Sequence, residues 1–72
     1  MALTTQQVED YIALLPEDMS WAVKRRTTYL HFWPADAVRA AEYDARNGNG
    51  AALADYDADV AIIKASIQKP GL

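Results

Sequence analysis

The sequence predicts an all-α fold, a small bundle of three to four short helices ending in an antiparallel helical hairpin. Three observations carry this. In residues 51–69, Leu53, Tyr56, Val60, Ile63 and Ile67 recur at spacings of three, four, three and four, the a/d stripe of a heptad. Near the N-terminus, Val8, Tyr11, Ile12 and Leu15 mark one face of a first helix. Between Arg46 and Ala51, Asn47-Gly48-Asn49-Gly50 is a turn signal short enough to fold its two flanking helices back on each other.

The first helix has a complete start signal. Thr4 as N-cap with Gln7 three residues on fits a capping box, and Leu3 with Val8 fits a hydrophobic staple. Glu9 and Asp10 place negative charge in its opening turns. Pro16 is expected to end it, because a residue before proline resists the helical conformation. Pro16-Glu17-Asp18 then offers a start for a second helix. Along it Met19, Val23, Arg26, Leu30 and Trp33 fall on one side, and Trp21, Thr28 and Phe32 on another.

Residues 27–33 are also rich enough in β-branched and aromatic side chains for a short strand. No second strand is visible to pair with it, so helix is the expectation. Pro34-Ala35-Asp36 begins a third helix, whose Val38, Ala41 and Ala45 form a thin face of small residues with Tyr43 well round from it. If Trp33-Pro34 were only a kink, the helices would number three. The last helix carries Asp55, Asp57 and Asp59 early and Lys64 and Lys69 late, the order its dipole favours, and Pro70-Gly71 stops it.

Residues 1–72 form a single domain near the lower size limit for a chain that folds alone. About half the residues are hydrophobic, but fourteen of these are Ala, which bury little area each. Docking on a partner or self-association would therefore stabilise the chain. With no cysteine there is neither a disulfide framework nor a thiolate metal site. The first basic residue is Lys24, so no signal peptide is expected, and no apolar run is long enough to cross a bilayer. A cytoplasmic chain, or one assembled into a virion, is the expectation.

The net charge of −3 is laid out in blocks. Residues 1–20 sum to −4, residues 21–40 to +3, residues 41–60 to −4 and residues 61–72 to +2. An acidic total argues against a dedicated nucleic-acid binder. The alternation suits helices that attract one another or a partner.

Catalytic and metal signatures fail one by one. Asp55-Tyr56-Asp57-Ala58-Asp59 begins like a calcium loop, but Val60 stands where the turn needs Gly and Ser66 where a bidentate Glu is needed. The three aspartates are expected to face solvent. His31 is the only histidine, and neither Ser20 nor Ser66 lies in a nucleophile context. Gly48 and Gly50 lack the lysine and preceding strand of a phosphate loop. The expectation is no enzyme, no cofactor and no metal.

Residues 21–33 hold the densest chemistry, with aromatics, three consecutive bases and His31 together. One helix cannot bury aromatics on two faces of so small a bundle. Part of this segment is therefore expected outside, and aromatics beside arginine are what protein interfaces enrich. The expected partner-binding residues are Trp21, Lys24, Arg25, Tyr29, Phe32 and Trp33. The alternative is a single-stranded nucleic-acid-binding or regulatory protein that stacks bases on the same segment. The stripe Leu53, Tyr56, Val60, Ile63 and Ile67 is core, or the seam of a homo-oligomer.

The stretch Tyr56-Asp57-Ala58-Asp59-Val60-Ala61-Ile62-Ile63-Lys64-Ala65, closing on Lys69-Pro70, resembles the C-terminal helix of some small phage-encoded tail-associated proteins. The resemblance covers about a quarter of the chain. It implies a virion component or assembly factor that works by binding other proteins, and it carries over no catalytic residue.

Overall fold

A computed structural model describes residues 3–70. Four helices follow in order: α1 (Thr5–Ile12), α2 (Trp21–Phe32), α3 (Ala35–Arg46) and α4 (Ala51–Ser66). No strand occurs among the described residues, and residues 27–32 lie within α2. The longest helix, α4, spans about 24 Å at the helical rise and is the spine. It packs against α1, α2 and α3, while α3 packs chiefly on α4 alone. The result is drawn out, 41 × 26 × 19 Å with a radius of gyration of 13.1 Å, against about 11 Å for a compact chain of this length.

α1 opens as its residues require. The Thr4 hydroxyl accepts from the Gln7 N–H at 3.2 Å, and the Gln7 side chain accepts from the Thr4 N–H at 2.8 Å, a complete capping box. Leu3 packs against the cluster that contains Val8, as a staple does. The helix ends at Ile12, one turn before Pro16. The chain continues through tighter bonds from Leu14 N–H to Tyr11 and from Leu15 N–H to Ile12, both 3.0 Å.

Pro16-Glu17-Asp18 forms a turn, and α2 begins later than expected. Ser20 is its N-cap, accepting from the Val23 N–H at 3.3 Å. Trp33 (φ −133°) and Pro34 (ψ 155°) both leave the helical region, so α2 and α3 are separate helices and the junction is no kink.

The α3–α4 connection is a complete Schellman closure. The Asn49 N–H bonds to the Asp44 carbonyl at 2.9 Å and the Gly48 N–H to that of Ala45 at 3.1 Å. This requires Gly48 to sit at φ +91°, where a side chain is strained. A Cβ there would meet nothing within 4 Å, so Gly48→Ala carries a conformational cost alone. The expected loss is about 1 kcal/mol, measured by urea unfolding. Ala41 is buried on the small-residue face of α3, with Val38 and Ala45 half-buried beside it, and Tyr43 is exposed as its spacing indicated.

The main core is small. Val8, Ile63 and Ile67 are buried together, with Leu3, Ile12, Trp21, Tyr29, Phe32 and Ile62 packed partly buried around them. The heptad stripe therefore divides. Its C-terminal members Ile63 and Ile67 are core, while Leu53, Tyr56 and Val60 are half-buried. The expected stop at Pro70-Gly71 reaches, at Gly71, outside the described residues. α4 itself ends earlier, at Ser66.

Asp59 corrects the expectation of three solvent-facing aspartates. Asp57 is exposed, but Asp59 is 1 % exposed in the middle of α4. Its Oδ1 accepts from the Leu3 N–H and its Oδ2 from the Trp33 indole N–H, both at 2.7 Å. One carboxyl group thus ties the start of α1 and the α2–α3 corner to the spine. Burial is tolerable because each oxygen has a donor. The Trp33 ring also meets Tyr56 edge-on, centroids 5.3 Å apart, which fixes the same corner.

Candidate interaction surface

α2 has two faces, and the structure turns one of them in. Trp21, Arg25, Thr28, Tyr29 and Phe32 fall on the inner side, following i, i+4, i+7, i+8 and i+11. Thr28 is fully buried, its hydroxyl satisfied by donating to the Lys24 carbonyl at 2.7 Å. Trp21, Tyr29 and Phe32 cover the core. Val23 and Leu30, expected among the core residues, are exposed instead. The physical reason lies in the area each face offers. The inner side carries three aromatic rings, whereas the Val23–Leu30 side has Arg26 in its middle and would bury that charge.

The residues expected to bind a partner are placed as follows. Arg25 is half-buried and closes the end of α4, its Nε donating to the Ile67 carbonyl at 2.7 Å and its Nη2 to the Lys64 carbonyl at 3.2 Å. These are carbonyls at a helix C-terminus, where a cation is favoured. The guanidinium also lies 5.1 Å from the Trp21 ring centroid, and the Lys69 ammonium lies 5.8 Å from it. Trp33 is held by Asp59, Phe32 is half-buried, and Lys24 is half-buried at the margin.

Burial pushes the Tyr29 phenol above the ordinary value of 10.0; the Arg25 guanidinium lowers it in part, and the Tyr56 phenol adds to the rise. Its ionisation therefore opposes folding. The proton is held more tightly in the folded chain than in the unfolded one, so stability is intact below pH 10.0 and falls as pH rises through the folded-state value. A tyrosinate absorbance titration should show one of the four tyrosines ionising late. In Tyr29→Phe the late phase should vanish, and the alkaline fall in melting temperature should become shallower.

The second helical face and its neighbour α1 remain open to solvent. His31 stacks on Tyr11, centroids 4.0 Å apart and 11° from parallel, and Phe32 meets both rings edge-on at 5.5 and 4.7 Å. This aromatic triple clamps α1 to the C-terminal end of α2. Beyond it stand Leu14, 80 % exposed, Leu30, 55 % exposed, and Val23, 37 % exposed. Single exposed apolar side chains are ordinary, but several around one seam mark a surface of interest. The signal for it was present in the sequence as the Val23, Arg26 and Leu30 spacing.

Elsewhere an open depression is lined by Glu42, Ala45, Arg46 and Leu53 at the tip of the α3–α4 hairpin. Among the described residues no helix is long and apolar enough to cross a membrane, and no three His, Asp or Glu side chains come together.

No protein-family model matches this sequence, and no curated protein and no solved structure matches it.

Proposed function

We propose that the chain is a non-catalytic protein-interaction module that works through the outward side of α2. The observation carrying this is the orientation of that helix. Its aromatic side is committed to the core and to closing α4, while Val23, Arg26 and Leu30 face outward beside Leu14. Of the residues expected at a contact from sequence, Lys24 borders this surface. Trp21, Arg25, Tyr29, Phe32 and Trp33 support it from beneath.

The polar chemistry supports a structural reading of the remainder. Among the described residues every buried side-chain nitrogen and oxygen has a hydrogen-bond partner, and Asp59 and Arg25 are both spent on joining helices. The thin core supports association as well, since covering more apolar surface would stabilise a chain with so few fully buried residues. A virion or assembly component, or a cytoplasmic adaptor, is the setting that the resemblance of α4 and the charge pattern suggest.

A photo-crosslinking residue introduced at Leu30 tests the reading in cells. A covalent adduct with a protein is expected there, and none with the same residue at Asp57, exposed on α4. The reading fails if neither position yields an adduct, or if both yield the same products.

A further inference from the structure

We infer that the surface formed by α1, the turn after it and the outward side of α2 binds a second copy of this chain as a two-fold dimer. This rests on the interaction-module reading and names its partner.

Leu14 and Leu30 flank one seam. The Leu14 N–H bonds to the Tyr11 carbonyl at 3.0 Å, the Tyr11 ring lies on His31 at 4.0 Å, and His31 adjoins Leu30. The two sides of the seam carry opposite charge. On the α1 side, Glu9, Asp10, Glu17 and Asp18 are all exposed, and residues 1–20 contain no base. On the α2 side, Arg26 is exposed and Lys24 half-exposed, and residues 21–33 contain no acid. Among the described residues, the side chains of Glu17, Asp18, Lys24 and Arg26 make no hydrogen bond or ion pair within the chain.

A surface with an acidic apolar half beside a basic apolar half is complementary to itself. In a two-fold arrangement, residue i of one copy meets residue j of the other, and j meets i. The acidic half around Leu14 then faces the partner's basic half around Val23 and Leu30, twice over. An unrelated partner would have to reproduce both signs around its own apolar residues. A second copy does so by symmetry.

The test is sedimentation equilibrium of the full chain across concentration, with two block reversals. One carries Glu17→Lys and Asp18→Lys, the other Lys24→Glu and Arg26→Glu. All four side chains lie at the surface, and circular dichroism confirms the fold of each. The wild type is expected to dimerise, and each reversal alone to weaken the dimer by about tenfold or more, since it sets like charges opposite one another twice. An equimolar mixture of the two should form a 1:1 heterodimer of near wild-type affinity, because both contacts become attractive again. If either block unfolds the chain, Leu14→Glu and Leu30→Glu, single exposed positions, are expected to give folded monomers. A wild type monomeric up to millimolar concentration overturns the dimer. So does a dimer indifferent to these changes, or a mixture that fails to recover. An adduct at Leu30 with a different protein, from a chain that stays monomeric, would sink the dimer and leave the interaction-module reading standing.

Discussion

Asp59→Ala is expected to lower the unfolding free energy by about 3 kcal/mol, and with it the melting temperature by well over 10 °C. The carboxyl group accepts two hydrogen bonds of 2.7 Å from donors 26 and 56 residues away in sequence. Bonds to a charged acceptor contribute about 1.5–3 kcal/mol each, and removing that acceptor leaves the Trp33 indole N–H without its partner in a half-buried setting. The upper end is tempered by Leu3, only half-buried, whose N–H water can reach. Against a total of about 4–11 kcal/mol for a chain of this length, such a loss leaves a marginal protein.

The conservative variant separates hydrogen bonding from packing. Asp59→Asn keeps one accepting oxygen and turns an NH2 group toward the other donor, so about half the penalty is expected. Trp33→Phe removes the opposite member. Because Asp59 and Trp33 share one bond, the double variant should cost less than the two single losses together, by at least about 1 kcal/mol. Urea unfolding of the four proteins measures this. Additive losses, or an Asp59→Ala penalty under about 1 kcal/mol, would mean that the corner is not held by this carboxyl group.

How much of this was legible in the sequence depends on whether the partners were local. The capping box of Thr4 and Gln7, the small face of α3 and the Asn47-Gly48 turn are decided by residues within one turn of each other, and all appear where the sequence places them. The beginning of α2 was obscured by two competing start signals. Pro16-Glu17-Asp18 was the more conspicuous, but Ser20 caps the helix with no Glu or Gln at Val23 to complete a box. The choice between the faces of α2 was undetermined locally, since both carry large apolar residues. It was made by what α4 offers, including the Ile67 and Lys64 carbonyls that only Arg25 reaches.

Asp59 is the instructive case. Asp55, Asp57 and Asp59 look alike as a helix-opening acidic run, and dipole preference explains them all equally well. Yet Asp59 stands three residues after Tyr56 and four before Ile63, on the buried side of the stripe. The periodicity therefore contained the signal. What it lacked was the donor, because Trp33 and Leu3 come to Asp59 only through the tertiary fold.

The same stripe supplies the second large effect. Ile63→Ala should cost about 3–4 kcal/mol, since Ile63 is fully buried against Val8 and Ile67 and the cavity can close only partly. Leu53→Ala, ten residues earlier in the same heptad register, should cost about 1 kcal/mol or less, because Leu53 is half-buried and lines an open depression with Glu42, Ala45 and Arg46. A stripe used as an intermolecular seam would behave differently. Both losses would then be large, and both would shrink or grow with protein concentration, because folding and association would be one equilibrium. Thermal unfolding of both variants over a hundredfold dilution distinguishes the two. An Ile63 penalty that is large and independent of concentration, beside a small Leu53 penalty, assigns the C-terminal half of α4 to the chain's own core. Penalties that move together with dilution would assign the whole length of α4 to a contact between chains, and would take the dimer surface away from α2.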